Sequence, residues 1–239
     1  MTISSSPLLS RMHTLTKTWK SSGVGRFFFL SCYQMMTVNM LAGVEQQEFA
    51  DSDWVRTFVA HFADYYYIAL DAYELDPASA PAVWRVAHDA TRDGQTWPLQ
   101  QLLLGVNAHI NYDLVLTVDE LLRPSWQKLA PDHQATRRAD YDRVNDIIAR
   151  TVDAVQDEVL DPAMPVMDWI DRLLGRADER LLSALLTAWR NDVWDHAVRL
   201  IEAADPAERT AIVRGVETAA LRRAEAIRLA DWTALDELV

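Results

Sequence analysis

A histidine and an aspartate lie four residues apart in a stretch that is otherwise almost wholly apolar. The stretch is LLLGVNAHINYDLVL, residues 102–116, and the pair is His109 and Asp113. A helix turns by about 100° per residue, so side chains four positions apart share a face. Such a pair can bind a divalent metal ion, or the carboxylate can raise the basicity of a histidine that transfers protons. The sequence therefore predicts a reactive site at His109 and Asp113.

Other residues of the same helix are candidates for this site. Tyr112 lies beside the pair and could donate or relay a proton, so it is a third catalytic candidate. Gly105 removes a side chain one turn before His109, which leaves room for a ligand or for a neighbouring helix. Asn107 and Asn111 form a second pair with the same spacing, which favours a clamp on a neighbouring helix. We also keep Asn111 as a candidate substrate contact.

A second helical segment, residues 51–74, supplies further candidates. His61 and Asp64 lie within one turn of each other and share a face with aromatic residues. A lone histidine on such a face is more often part of a core than a ligand. Two inward helices that each carry a histidine and an aspartate could nevertheless form a four-ligand metal site. The aromatic residues predicted to contact a substrate near these pairs are Tyr33, Trp54 and Tyr65.

The remaining histidines are weaker candidates. Asp192 and His196 repeat the four-residue spacing, but charged neighbours favour helix-end packing. His13, His88 and His133 are interpreted as structural, because they have no partner at helical spacing except Asp89, beside His88.

Hydrophobic periodicity predicts an all-α protein. The chain has 239 residues with 50% apolar residues and only 7 glycines, which fits one helical domain spanning residues 1–239. We predict a bundle of eight or nine helices with a buried central helix at 98–122. The predicted helical segments are 8–19, 24–43, 51–74, 81–92, 98–122, 133–158, 165–174, 178–203 and 206–230.

Charge and composition exclude several classes of function. The net charge is −12, so we expect no nucleic-acid partner. The scarcity of glycine indicates no phosphate-binding loop and hence no nucleotide cofactor. Cys32 is the single cysteine, no signal peptide is evident, and FFFLSCYQMM is too short to span a bilayer, so we expect a cytoplasmic protein.

Four stretches of the chain follow one another in an order that is typical of a known family. They are GVGRFFFLSCYQMMT at 23–37, FADYYYIAL at 62–70, PAVWRVAHDA at 81–90 and LLLGVNAHINYDL at 102–114. With them the chain resembles an uncharacterised bacterial family, common in actinobacteria, that is known only as a domain of unknown function. The resemblance covers most of the chain and implies an all-helical fold with its hallmark, NAHINxDL, at His109 and Asp113. His61, Asp192 and His196 are not hallmark positions, and the family implies no reaction.

One helix carries a second resemblance. Gly105, His109 and Asp113 are similar to the Gly-x-x-x-His-x-x-x-Asp helix of zinc-dependent bacterial phospholipases C. This similarity implies zinc at the pair. Those enzymes are secreted, begin with a tryptophan ligand and use more histidine ligands than this chain supplies, so the similarity is limited to one helix.

Three functions therefore compete. The first is a metal-dependent hydrolase, in which His109, Asp113, His61 and Asp64 hold zinc, manganese or iron that activates water. The second is a metal-free enzyme, in which His109 acts as general acid or base and cyclises or isomerises a small apolar molecule in an aromatic pocket. The third is a binding or scaffold protein that carries out no reaction. We favour the metal-dependent hydrolase on sequence alone, and the sequence leaves the oligomeric state open.

Overall fold

Helices joined by short turns make up the described part of the chain. The computed structural model describes residues 7–155 and 167–230, with side chains for 7–151 and 183–230, and no strand occurs in these ranges. The all-α prediction is confirmed, whereas the predicted single domain includes residues outside the described ranges. The helices are α1 (Pro7–Ser22), α2 (Arg26–Glu45), α3 (Ser52–Leu75), α4 (Ala82–Ala90), α5 (Pro98–Ala108), α6 (Leu114–Leu122), α7 (Pro131–Val155), α8 (Met167–Glu202) and α9 (Pro206–Leu229).

The central helix spans residues 98–122, as predicted. It consists of α5, a π-helical turn at His109–Asp113, and α6, which follow one another without a break. Helix α5 packs against α2, α4 and α9, while α6 packs against α3 and α8. Because neighbours surround it, many of its apolar residues and its polar residues Asn107, His109, Asn111 and Asp113 are buried.

Side chains that cap backbone N–H groups fix where several helices begin. The Asp51 carboxylate accepts a hydrogen bond from the Trp54 backbone N–H at 2.9 Å, which starts α3. Asp205 caps α9 in the same way, ahead of Pro206 at the first helical position. These caps set the position of α3 and α9 along the chain.

Helix α8 differs from the prediction. The sequence predicts two helices, 165–174 and 178–203, whereas α8 runs without interruption over Met167–Glu202. Gly175 suggests a break, but one glycine within a helix costs only about 1 kcal/mol. Residues 156–158 of the predicted segment 133–158 and residues 165–166 lie outside the described ranges.

Helix α2 is predominantly apolar between Arg26 and Glu45. It has 20 residues and a mean hydropathy of 1.3, enough by length and composition to cross a membrane, so the apolar helix extends beyond the ten-residue stretch noted in the sequence. In the structure, 61% of the most apolar 18-residue stretch of this helix is buried within the bundle. Its phenylalanines join the largest core cluster, which also contains residues of α3, α4 and α5.

Candidate functional site

The central helix widens at the predicted pair. Between α5 and α6 the backbone forms a π-helical turn over His109–Asp113, and the Leu114 N–H donates to the His109 carbonyl. Such turns are rare and occur frequently at functional sites. The periodicity of the sequence does not reveal the turn, because an ordinary α-helix would also place His109 and Asp113 on one face.

His109 and Asp113 form a buried pair held by a third residue. His109 Nδ1 lies 3.0 Å from Asp113 Oδ2, and the two side chains are 3% and 1% exposed. The indole N–H of Trp84 donates to the same carboxylate oxygen at 2.8 Å. Two donors therefore converge on Asp113 when it is ionised, and Nδ1 then carries the imidazole proton. This arrangement leaves Nε2 of His109 as the acceptor nitrogen.

Burial dominates the electrostatics of the pair. It lowers the pKa of His109 well below its ordinary value, because an imidazolium would lose its hydration. Burial also raises the pKa of Asp113 well above its ordinary value, while the hydrogen bond from Trp84 lowers it. His109 is therefore uncharged at neutral pH, and the same burial opposes both its protonation and the ionisation of Asp113.

Aromatic rings surround the imidazole. Phe62 stacks on it with ring centroids 3.6 Å apart and an interplanar angle of 6°. Tyr33 meets it edge-on at 4.4 Å. We call the rings within 6.2 Å of the imidazole the aromatic cage; they are Phe29, Tyr33, Phe62, Tyr66 and Trp84.

Several polar atoms of this site lack partners. Among the described residues, no hydrogen bond reaches the buried His109 Nε2 or the hydroxyl group of Tyr66. Buried polar atoms are nearly always paired, so an unpaired one needs a reason, such as a catalytic role or a bound molecule. The site therefore combines a fixed imidazole, an apolar enclosure and unsatisfied hydrogen-bonding groups.

Gly105 makes room for a neighbouring ring. A Cβ atom at this position would lie 2.6 Å from Cγ of Phe29, closer than real contacts allow. The glycine therefore admits Phe29 to the aromatic cage, and it serves the packing of α2 against α5. Of the two uses that the sequence allows for Gly105, the structure displays the room for a neighbouring helix.

Tyr112 and Tyr33, two other predicted residues, belong to the same region. Tyr112 is partly buried between two core clusters, and burial, then Glu217 and Asp113, raise its pKa to about 12. Burial raises the pKa of Tyr33 well above its ordinary value. Both hydroxyl groups thus remain protonated at neutral pH, so they can donate hydrogen bonds.

The structure does not bring His61 and Asp64 to this pair. His61 Nε2 lies 2.7 Å from Glu120 Oε2, with side chains 34% and 49% exposed, and Asp64 is exposed. Tyr65 lies beside them, 5.7 Å from the His61 ring. Helix α3 buries its opposite face, which carries Ala63, Tyr66 and Leu70, because that face has the longer apolar stripe. The predicted inward orientation of His61 and Asp64 is thus replaced by an outward one.

Trp54 and the asparagines have structural partners. The Trp54 ring lies 4.9 Å below the guanidinium of Arg137, away from the aromatic cage. Asn107 donates to the Ala220 carbonyl of α9 at 2.9 Å, and Asn111 donates to Asn107 at 3.0 Å. Asn107 therefore ties the central helix to α9, while Oδ1 of Asn111 is buried without a partner among the described residues.

The third predicted pair lies at the surface. His196 Nδ1 is 2.6 Å from the Asp192 carbonyl, while the Asp192 carboxylate lies 3.6 Å from Arg223. His13 and His133 are exposed. Across the side chains of residues 7–151 and 183–230, no three histidine, cysteine or acidic groups come together in a way that could hold a metal ion.

Sequence reasoning missed Trp84, Phe29 and Phe62. Trp84 lies 29 positions before Asp113, so no helical spacing connects them. A signal was present, since PAVWRVAHDA at 81–90 places Trp84 and His88 on one face of a short helix. A buried indole needs an acceptor for its N–H, and a buried aspartate is the strongest one available.

Comparison with known proteins gives one match. The model of a family of unknown function, DUF5995, matches residues 6–230. No curated protein and no solved structure shows a significant similarity to the chain. Since the match covers nearly the whole sequence, the chain belongs to the family of unknown function DUF5995.

Proposed function

We propose that this protein is a small-molecule enzyme in which His109 transfers a proton without a metal ion. The supporting observation is its Nε2 atom, which is buried and receives no hydrogen bond from the described residues. In a purely structural buried pair we would expect both imidazole nitrogens to be satisfied. Here Asp113 fixes one nitrogen and the other is left inside an aromatic enclosure.

The reaction that suits this site is a proton shift within one molecule. His109 Nε2 takes a proton from one carbon of the substrate, and the electron pair of the broken C–H bond moves into the substrate. In its ionised form, Asp113 stabilises the imidazolium that forms. Nε2 then returns the proton to a different carbon, so the atoms balance and no oxidant or co-reactant is required. Isomerisation, or a cyclisation begun by proton transfer, follows this scheme.

The surroundings of His109 favour an apolar substrate. Five aromatic rings enclose the imidazole, and aromatic surfaces bind apolar molecules well. Phe62 covers one face of His109 and is itself partly exposed, so it separates the imidazole from solvent. A rotation of this ring would give a substrate access to the pair.

The metal-dependent hydrolase is less well supported. A free Nε2 opposite a carboxylate-bound Nδ1 is also the arrangement of a metal-bound histidine. However, His61 pairs with Glu120 and Asp64 is exposed, so the predicted ligands are not gathered around that nitrogen. We therefore derive no metal-dependent step.

Isotope transfer from solvent tests the proposal. Purified protein is incubated with a cellular metabolite extract in deuterium oxide, and mass spectrometry identifies molecules that gain deuterium or change structure. We expect a product with the parent protein and its loss with His109→Gln, while His61→Gln, at the surface pair, retains it. Trp84→Phe, which removes the N–H that holds Asp113, provides a second variant and should slow the reaction.

Three results would count against the proposal. A product that forms equally with folded His109→Gln shows that the imidazole is not the proton carrier. Loss of the product with a chelator and its return with zinc favours the hydrolase instead. No product with any extract, together with a His109→Gln variant that loses only stability, favours the scaffold function.

A further inference from the structure

The indole N–H of Trp84 and the His109 ring share one carboxylate oxygen. Trp84 Nε1 lies 2.8 Å from Asp113 Oδ2, and His109 Nδ1 lies 3.0 Å from the same atom. All three residues are buried, so water does not compete for either contact. Trp84 therefore binds the same group that holds the imidazole.

Neighbouring rings hold the indole of Trp84 in one direction. His88 stacks on it with centroids 5.2 Å apart and an interplanar angle of 23°. The Tyr66 ring lies 5.2 Å away and the Phe29 ring 5.5 Å away. Because a close-packed ring cannot turn freely, the N–H group keeps its position beside Asp113.

Two arrangements of protons fit the geometry of the pair. In the first, Asp113 is ionised, His109 Nδ1–H donates to it, and Nε2 is bare. In the second, Asp113 is protonated and donates to Nδ1, so the ring carries its own proton on Nε2. Nε2 can accept a proton only in the first arrangement. The reaction proposed for His109 therefore requires an ionised Asp113.

Burial alone favours the second arrangement. It raises the pKa of Asp113 well above its ordinary value and lowers the pKa of His109 well below its own. The second arrangement leaves both side chains uncharged, whereas the first places a negative charge in the core. An interaction that stabilises the carboxylate is therefore needed for His109 to act as a base.

No charged side chain among the described residues lowers the pKa of Asp113. The influences on this pKa are burial and, in the opposite direction, the hydrogen bond from Trp84. Glu217 of α9 lies near Tyr112, and its charge has the wrong sign. His88 of α4 is uncharged at neutral pH, because burial, then two arginines, lower its pKa to about 3. The other titratable neighbours are tyrosines that raised pKa values keep protonated: Tyr33, Tyr65, Tyr66 and Tyr112.

Charged groups of α6 and α8, which also pack near the turn, are engaged elsewhere. Asp119 of α6 pairs with two arginines, and Glu120 pairs with a histidine at the surface. Arg190 of α8 donates to a backbone carbonyl of α7, while Asp195 and Arg199 are exposed. Within the described part of the chain, the indole N–H is thus the group that stabilises the carboxylate.

We propose that Trp84 is a positioning residue that keeps His109 a base, because its N–H group holds Asp113 in the ionised form. Removal of this donor shifts the pair towards the second arrangement, in which Nε2 carries a proton and cannot take one from a substrate. A hydrogen bond to a charged group is worth roughly ten- to a hundred-fold in such an equilibrium. The inference rests on the proposed function, since it explains what makes proton abstraction by Nε2 possible.

Replacement of Trp84 by 3-benzothienylalanine tests the inference. This amino acid has nearly the shape of tryptophan but carries sulfur in place of the N–H group, so it removes the donor and keeps the packing. ¹⁵N spectra of histidine-labelled protein between pH 5 and 8, assigned through His109→Gln, report which nitrogen of the ring is protonated. We expect Nε2 to be bare at pH 7 in the parent. In the variant, Nε2 should gain its proton at a pH about one to two units higher than in the parent.

Two further variants separate the hydrogen bond from the packing. Trp84→Phe also removes the donor, so it should raise the midpoint in the same direction. Phe29→Leu is the matched control, because the Phe29 ring contacts both Trp84 and His109 but cannot donate a hydrogen bond. It should leave the midpoint within about half a pH unit of the parent, whereas a purely structural role of Trp84 predicts similar shifts in all three variants.

The outcomes distinguish this inference from the proposed function. A midpoint that the benzothienyl variant leaves unchanged overturns the inference, as does a bare Nε2 down to pH 5 in both proteins. An equal shift in Phe29→Leu overturns it as well. A parent that carries its proton on Nε2 at pH 7 contradicts both proposals. If the spectra change as expected and no metabolite gains deuterium, the inference stands and the proposed reaction fails, because these spectra require no substrate.

Discussion

The described side chains include two histidine–carboxylate pairs that differ mainly in burial. His109 and Asp113 lie 3.0 Å apart with side chains 3% and 1% exposed. His61 and Glu120 lie 2.7 Å apart with side chains 34% and 49% exposed. The shorter contact is the more exposed one, so distance alone does not rank the two pairs.

Burial decides what each pair can do. At the surface, water competes for both partners and screens their attraction, so the pair adds little stability. Inside the bundle, neither partner can turn to water, so each depends on the other and on Trp84. An imidazole–carboxylate pair is therefore important for stability when it is buried, as at His109 and Asp113, and contributes little when it is exposed, as at His61 and Glu120.

The largest predicted effect is at Asp113. Replacing it with alanine leaves His109 Nδ1 and the Trp84 indole N–H without their acceptor in the core. Loss of one partner from a buried pair costs about 3–5 kcal/mol of unfolding free energy. Urea denaturation followed by circular dichroism measures this loss. A cost below about 1 kcal/mol would mean that the pair behaves like a surface contact.

Gly105→Ala should disturb the aromatic cage by displacing Phe29. The added Cβ would lie 2.6 Å from Phe29, so the ring must move, which costs about 1–3 kcal/mol. Gly215→Ala is the matched control, because its Cβ meets no atom within 4 Å among the described residues. In helix α9 that change should stabilise the fold by up to about 1 kcal/mol. Equal effects at both glycines would refute the packing role of Gly105.

Stability should fall as the pH drops below about 6.5, the ordinary pKa of histidine. Burial lowers the pKa of His88 to about 3. Between that value and about pH 6.5, His88 is protonated in the unfolded chain and unprotonated in the folded chain. One such histidine costs about 1.4 kcal/mol per pH unit below that point. Burial lowers the pKa of His109 as well, which adds to the slope.

Comparison with His88→Gln isolates one histidine. Asp113, whose raised pKa acts in the opposite direction, is present in both proteins and cancels. Unfolding free energies at several pH values between 5 and 7.5 should therefore show the same slope for both proteins near pH 7.5, and a smaller slope for the variant below about pH 6.5, by a difference that approaches about 1.4 kcal/mol per pH unit. Identical slopes would show that His88 titrates alike in the folded and unfolded chains.

The smallest predicted effect is at the surface pair. Glu120→Ala removes the partner of His61, and the exposed histidine can bond to water instead. We expect a change of about 0–1 kcal/mol in the unfolding free energy, measured as for Asp113→Ala. A loss as large as that of Asp113→Ala would remove the distinction between the two pairs.

The sequence predicts the central helix better than its neighbours. Its bounds, 98–122, and the shared face of His109 and Asp113 follow from an apolar stretch with polar residues at helical spacing. Helix α3 was harder, because Tyr65, Tyr66 and Tyr67 place an aromatic residue on every side. Periodicity therefore could not show that His61 and Asp64 face outward.

Contacts between distant segments lie beyond this kind of reasoning. Trp84 of α4 donates a hydrogen bond to Asp113 of the central helix. Phe29 of α2 contacts His109 only because Gly105 has no side chain at that position. Neither contact leaves a periodic signal, since each depends on how whole helices pack.

The protonation state of the His109 imidazole tests the central claim most directly. ¹⁵N spectra of histidine-labelled protein, with the signals assigned through His109→Gln, report which nitrogen carries the proton. We predict a neutral ring at pH 7 with the proton on Nδ1 and a bare Nε2, unchanged as the pH falls to 5.5. A ring that carries its proton on Nε2, or that is doubly protonated at pH 7, would contradict the account.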